Sequence, residues 1–116
     1  MTHVTTHVLD AATGDPAVGV DIVLAHASGG AVTAEAAGAI VAHGTTDADG
    51  RLALGPERLE PGDYTLTFLT GEYFAATATP TFYPYVPVTF TVDESGRHLH
   101  VPLLLSPFAY STYRGS

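Results

Sequence analysis

Histidines are the side chains best suited to chemistry in this sequence of 116 residues, and four of the six occur in two short segments. His3 and His7 lie near the start of the sequence, and His98 and His100 lie near its end. Imidazole can exchange a proton near neutral pH, and it can also bind zinc. The pairs therefore indicate an acid/base site or a metal site. Acid/base use is better supported, because the spacing supplies no third metal ligand.

Arg51 and the last residues have the chemistry of a site as well. Arg51 directly follows the turn signal Asp49-Gly50. Its guanidinium offers a fixed fork of donors to a carboxylate, an enolate or an oxyanion, although a solvated arginine at a sheet edge would give the same pattern. The segment from Tyr110 to Ser116 combines two tyrosines, an arginine and several hydroxyls. Frayed termini seldom have such a composition.

Both histidine segments are predicted to be strands with one apolar face. Side chains alternate between the two faces of a strand, so His3 and His7 share one side of the first segment. In the second segment, His98 and His100 lie opposite an unbroken row of leucine and valine. If the two strands are neighbours in one sheet, their histidines converge, because directly opposed residues have Cβ atoms about 5 Å apart.

Short segments of this kind, separated by turn signals, continue along the whole sequence. Strands are predicted at residues 3–9, 20–26, 39–45, 51–54, 64–69, 86–92, 98–105 and 108–112, with one short helix at 70–76. The alanine-rich stretch at 31–38 is predicted to be a loop, because it is too short to form a stable helix alone. About eight strands in one domain, residues 1–116, predict an all-β sandwich of two packed antiparallel sheets.

Composition excludes several classes of function. Twelve acidic residues against four arginines give a net charge of -8, which excludes a nucleic-acid binder. An anionic substrate would need a local group of arginine or histidine, because the acidic surface repels it. The absence of cysteine excludes disulfides and thiolate chemistry.

The sequence also bears on where in the cell the protein is found. No stretch is long and apolar enough for a membrane span, and neither a signal peptide nor a peroxisomal Ser-Lys-Leu address is found. We therefore expect a soluble, cytoplasmic protein that has no membrane partner. A domain of this size buries only about two thirds of its unfolded surface, so an interface between subunits is a natural way to cover more of it.

Five segments resemble the transthyretin-related 5-hydroxyisourate hydrolases, in the same order along the chain. They are Thr6-His7-Val8-Leu9-Asp10, Asp47-Ala48-Asp49-Gly50-Arg51, Gly71-Glu72-Tyr73-Phe74, the run from His100 to Pro107, and Tyr113-Arg114-Gly115-Ser116. The terminal tetrapeptide is the most specific of them. This resemblance implies a transthyretin-like (prealbumin-like) Greek-key sandwich of two four-stranded sheets, assembled as a homotetramer that is a dimer of dimers.

The resemblance also implies a reaction and the residues that perform it. A small purine-derived substrate, 5-hydroxyisourate, would be hydrolysed during urate degradation, with no cofactor and no metal. The implied catalytic residues are His7, Arg51 and His100. The implied substrate-binding residues are Tyr113, Arg114, Gly115 and Ser116, which would fold over the catalytic group, with His98 as a secondary site residue.

Three other functions are compatible with parts of the sequence. A transthyretin-like protein that binds or transports a small molecule would use the same architecture, but transthyretin itself lacks the histidines, the arginine and the terminal tetrapeptide of the resemblance. A metal-dependent hydrolase is a weaker alternative. A purely structural sandwich would explain the apolar core and leave the two histidine faces without a reason.

Overall fold

A computed structural model describes residues 3–27 and 39–115. The chain there forms strands and one short helix. In chain order these are β1 (Val4–Asp10), β2 (Asp15–Pro16), β3 (Asp21–His26), β4 (Ile40–Thr45), β5 (Arg51–Leu54), β6 (Gly62–Phe68), α1 (Thr70–Ala75), β7 (Val86–Val92), β8 (Leu99–Ser106) and β9 (Ala109–Thr112). The predicted loop at 31–38 and the terminal Ser116 lie outside the described residues.

The first sheet is arranged around β1, which has neighbours on both sides. On one side β1 pairs in antiparallel fashion with β5 and, further along, with the two-residue β2. On the other side it pairs with β8, and β8 pairs with β9. The second sheet has the order β4-β3-β6-β7, and all of its pairings are antiparallel.

The core lies between the two sheets and is built from the inward-facing residues of alternating strands. In β1 the side chains of Val4, Thr6 and Val8 are buried, and those of Thr5 and His7 are half-buried on the other face. The largest fully buried residues from the remaining strands include Ile22, Leu24, Leu66, Phe68, Leu103 and Leu105. Burial of each such side chain stabilises the fold by about 1.5–3 kcal/mol. One face of each sheet therefore packs in the core.

The helix α1 is tied to the end of β1 by a side-chain hydrogen bond. The hydroxyl of Tyr73 donates to Oδ2 of Asp10 at 2.9 Å, and Asp10 is buried. Burial of the tyrosine, followed by its contact with Asp10, raises the pKa of Tyr73 to about 12. The hydroxyl therefore remains a donor at any physiological pH.

The fold class predicted from the sequence is confirmed, with two differences in detail. Within the described residues the first sheet has five strands, because β2 and β5 pair with successive parts of the same edge of β1. The pairing of β1 with β8 is parallel, in a sandwich that was expected to be antiparallel throughout. Across the described ranges, no helix has the length and apolarity needed to cross a membrane.

Candidate active site

Strands β5, β1 and β8 bring the predicted catalytic residues to the outer face of the first sheet. His7 of β1 is directly opposite Arg51 of β5, and Thr5 of β1 is directly opposite His100 of β8. His7 and Thr5 both point away from the core, because the residues between them in β1 are buried. The convergence predicted from strand alternation is thus present, and it requires the central position of β1.

A tight turn holds Arg51 at the start of its strand. Oδ1 of Asp47 accepts the backbone N–H groups of Asp49 at 2.8 Å and Arg51 at 3.0 Å. These two donors lower the pKa of Asp47, with the Arg51 N–H as the larger cause. Gly50 has φ of +74°, and a Cβ atom there would lie 2.5 Å from the carbonyl oxygen of Val8. Only glycine fits at this approach of the turn to β1.

His98 and His100 share one hydroxyl group. Oγ1 of Thr5 lies 2.9 Å from Nδ1 of His100 and 3.0 Å from Nε2 of His98. His98 is exposed just before β8 begins, whereas His100 is half-buried within the strand. The sequence prediction did not include Thr5 among the site residues. Its position between His3 and His7, with the same strand parity, is the signal that could have identified it.

The protonation of His100 is shifted by its surroundings. Burial is the largest cause that lowers its pKa below the ordinary 6.5, and the positive charges of His98, His7 and Arg51 lower it further. A hydrogen bond with the backbone of Thr5 raises the pKa and is the smallest contribution. His100 is therefore neutral at pH 7 and can accept or donate a proton without first losing a charge.

The end of the chain returns to His100. The N–H of Gly115 donates to the carbonyl oxygen of His100 at 2.8 Å, so these two residues form an isolated antiparallel bridge. Tyr113 and Arg114 are exposed, and both line a cleft of about 320 Å³ beside Phe90 of β7. Gly115 is thus brought to the histidines, and the cleft that Tyr113 lines is also lined by His100. Ser116 lies outside the described residues.

His3 is not part of the histidine face, and its predicted place beside the catalytic positions is corrected. The strand β1 begins at Val4, and the His3 side chain is only 3% exposed. Its Nδ1 accepts the N–H of Leu59 at 2.8 Å, and its Nε2 donates to the carbonyl oxygen of Arg97 at 2.9 Å. Because both ring nitrogens have backbone partners, His3 is a structural residue.

A depression of about 320 Å³ is lined in part by Thr5, Asp47, Arg51 and His100. Its lining includes the guanidinium of Arg51, which can bind an anion, and the neutral imidazole of His100, which can accept or donate a proton. Over the described ranges, no three His, Asp or Glu side chains are grouped closely enough to hold a metal ion. A neutral imidazole beside a guanidinium suits acid/base chemistry.

Comparison with known proteins places this chain in a family. Residues 4–115 match the family model described as the HIUase/Transthyretin family. The chain belongs to this HIUase/transthyretin family. It is 46% identical over 112 residues to the 5-hydroxyisourate hydrolase of Salmonella dublin, which covers 95% of this chain and 78% of that protein. The family and the class of enzyme predicted from the sequence are thereby confirmed.

Solved structures of both branches of the HIUase/transthyretin family share the fold. The 5-hydroxyisourate hydrolase of Klebsiella pneumoniae superposes with a TM-score of 0.84 at 35% identity, and the match covers 100% of both chains. Sea bream transthyretin, solved with thyroxine, superposes with a TM-score of 0.85 at 29% identity, over 97% of this chain and 94% of that one. The fold therefore does not separate a hydrolase from a binding protein, and the side chains of the site must do so.

Proposed function

We propose that this chain hydrolyses 5-hydroxyisourate to 2-oxo-4-hydroxy-4-carboxy-5-ureidoimidazoline in urate degradation. The observation that carries the proposal is the placement of His7 opposite Arg51 on β1 and β5, with His100 on the adjacent strand. A binding protein needs shape and a few polar contacts, whereas water attack on a carbonyl needs a base, an acid and a group that stabilises negative charge. All three kinds of group lie on one face of this sheet.

In this proposal His7 removes a proton from the attacking water. Neutral water is a poor nucleophile, and a histidine that accepts its proton contributes roughly 10²- to 10⁴-fold to the rate. His100 returns a proton to the departing ring nitrogen, although the two histidines are chemically able to exchange these roles. The carbon–nitrogen bond of the six-membered ring breaks as the new carbon–oxygen bond forms. No cofactor is required, because the carbonyl is already electrophilic.

Arg51 supplies the charge that the reaction needs. It holds the anionic substrate or stabilises the oxyanion that develops on the attacked carbonyl, and its fork of donors suits either oxygen arrangement. Such a local cation is required in a chain of net charge -8, whose surface repels anions. The terminal segment, from Tyr113 through Ser116, completes the substrate site in this proposal. The bridge from Gly115 to His100 supports its placement there.

We also propose that residues 1–116 act as one domain within a homotetramer arranged as a dimer of dimers. Several large apolar side chains are exposed between α1 and β7 and around β9, among them Phe82, Tyr85, Phe108 and Tyr110. Aromatic residues on a surface are enriched at interfaces between subunits. Native mass spectrometry or light scattering would measure the assembly, and a monomer at micromolar concentration would contradict it. The cytoplasmic location stays a prediction of the sequence.

A direct assay tests the function. Freshly generated 5-hydroxyisourate decays spontaneously, and its ultraviolet absorbance should fall faster when the protein is added. The variant that carries both His7→Asn and His100→Asn should return the decay to the spontaneous rate. If the unaltered protein gives no acceleration, the proposal fails. Tight binding of the compound without turnover would favour a transthyretin-like binding function.

A further inference from the structure

The hydroxyl of Thr5 joins the ring of His100, which has a role in the proposed reaction, to the ring of His98, which has none there. Its oxygen is within hydrogen-bond distance of Nδ1 of His100, at 2.9 Å, and of Nε2 of His98, at 3.0 Å. Thr5 is on the central strand β1 and pairs directly with His100 of β8, so the backbone fixes this contact. The three side chains form a continuous line from the depression beside Arg51 to the exposed ring of His98.

A hydroxyl has one proton, so the two contacts cannot be alike. If Thr5 donates to Nδ1 of His100, it must accept a proton from Nε2 of His98. If it donates to His98, then Nδ1 of His100 carries a proton and donates to Thr5. The tautomers of the two histidines are therefore coupled through Thr5. In the first arrangement neutral His100 carries its proton on Nε2, and in the second Nε2 has a free lone pair.

We propose that Thr5 is a positioning residue that sets the tautomer of His100 and passes it a proton from His98 during ring opening. This inference rests on the proposed hydrolysis of 5-hydroxyisourate. Nδ1 of His100 contacts the Thr5 hydroxyl, which leaves Nε2 as the ring nitrogen available to a substrate.

The proton transfers balance when they occur together. The bond from Nε2 of His100 to hydrogen breaks as a bond forms between that hydrogen and the departing nitrogen of the substrate. The proton of the Thr5 hydroxyl moves to Nδ1 of His100, and the proton on Nε2 of His98 moves to the Thr5 oxygen. Nδ1 of His98 takes a proton from solvent, and the proton that His7 removed from water returns to solvent. Both histidines finish neutral.

The surroundings of His98 suit the solvent end of such a chain. Its side chain is exposed and lines an open cavity with Arg97 and Arg114, so water reaches the ring. The residues on both sides of it are held by His3, because Arg97 accepts from the His3 ring at 2.9 Å and Leu99 donates its N–H to the His3 carbonyl at 2.9 Å. His98 is thus exposed to solvent and still fixed in position toward Thr5.

The relay supplies a proton that neutral His100 needs when it acts as an acid. A ring whose pKa lies below its ordinary value is neutral at pH 7. When a neutral imidazole gives up its only N–H proton it becomes an imidazolate, which is very unfavourable. Delivery of a proton to Nδ1 through Thr5 avoids this state.

Two substitutions at Thr5 separate the hydroxyl from the space it occupies. Thr5→Val keeps the shape and removes the hydroxyl, and we expect kcat to fall about 10- to 100-fold while KM changes by less than about twofold. Thr5→Ser keeps the hydroxyl and should retain most of kcat. Thr65→Val is the matched control, because Oγ1 of Thr65 makes a 2.9 Å bond to Thr89 in the other sheet. The control should leave kcat unchanged.

A second measurement tests the link without any substrate. Nitrogen-15 NMR of the imidazole rings reports which ring nitrogen carries the proton and whether it is hydrogen-bonded. Thr5→Val should shift the signals of both His98 and His100, and Thr5→Ser and Thr65→Val should not. Circular dichroism and the thermal midpoint establish that each variant is folded.

The outcomes distinguish this inference from the proposed function. If the unaltered protein does not accelerate the decay of 5-hydroxyisourate, the proposed function fails, and the NMR spectra still decide whether Thr5 couples the two rings. Wild-type kcat in Thr5→Val would overturn the relay, as would equal losses in Thr5→Val and Thr5→Ser. Unchanged ring signals in Thr5→Val would overturn the coupling itself.

Discussion

The backbone of Gly115 lies directly against the imidazole ring of His100. Its N–H donates to the His100 carbonyl oxygen at 2.8 Å, and a Cβ atom at position 115 would lie 2.6 Å from Cδ2 of the ring. Side chains do not tolerate such a separation, so either the ring or the terminal segment would have to move. The glycine of the terminal tetrapeptide is therefore required by its approach to a predicted catalytic residue.

The first prediction follows from this contact. Gly115→Ala should lower kcat/KM for 5-hydroxyisourate by about 10²-fold, because displacement of a catalytic group by about 1 Å has an effect of that size. The free energy of unfolding should change little, since Gly115 is outside the hydrophobic core. Ser111→Ala, at an exposed position of β9, serves as the control. A fully active Gly115→Ala enzyme would mean that the terminal segment does not act through His100.

The second prediction concerns the two proposed acid/base groups. His7→Asn and His100→Asn should each lower kcat by about 10²- to 10⁴-fold and leave the far-ultraviolet circular dichroism unchanged. His43→Asn is a matched control, because His43 is an exposed histidine of β4 in the other sheet. Steady-state rates of the three variants provide the comparison. Unchanged ring opening in both site variants would rule out acid/base catalysis by these histidines.

The third prediction concerns the geometry of Arg51. Arg51→Lys keeps the charge and loses the planar fork, so kcat/KM should fall by about 10²-fold if the fork binds an oxyanion. Arg58→Lys is the control, because Arg58 donates to the carbonyl oxygen of Glu94 and does not line the depression. An active Arg51→Lys enzyme would show that a simple point charge is sufficient.

Strand alternation predicted which side of each strand faces the core, but it could not predict which strands are neighbours. The faces of β1 and β8 follow from single residues such as Val8 and Leu103, which are fully buried. The parallel pairing of these strands involves residues 95 positions apart, and no local pattern encodes it. The two-residue β2 was missed for a related reason, because it is too short to show any alternation.

Candidate site residues could be proposed from the sequence where the side chain itself has the needed chemistry. They could not be proposed where their role depends on which strands are neighbours. His7 and Arg51 are candidates because of the chemistry of their side chains, the family resemblance implies their catalytic role, and the fold pairs them in register. Thr5 was missed because a threonine in a strand is common, and its contacts with His98 and His100 depend on which strand pairs with β1. His3 was misplaced because alternation was extended one residue beyond the start of β1, where the chain turns inward. The place of Gly115 over His100 followed only from the family resemblance.

The fourth prediction is a pH dependence centred on His100. Its pKa in the folded protein lies below 6.5, chiefly because of burial, so titration followed by NMR should have a midpoint below 6.5. Below pH 6.5 the unfolded chain binds this proton more readily than the folded chain, so stability decreases as the pH falls through this window. Urea unfolding at several pH values should show a smaller decrease for His100→Asn. A midpoint above 6.5 would contradict the effect of burial.

The last prediction assigns His3 to stability. Phenylalanine in its place keeps a ring in the buried space but leaves the N–H of Leu59 and the carbonyl oxygen of Arg97 without their partner. A buried backbone group that loses its hydrogen bond costs about 1–3 kcal/mol, so His3→Phe should lower the free energy of unfolding by at least about that amount. Urea denaturation measures it, with His43→Phe as the exposed control, for which we expect a change within about 0.5 kcal/mol. Equal stability of the two variants would mean that the His3 ring acts only by filling space.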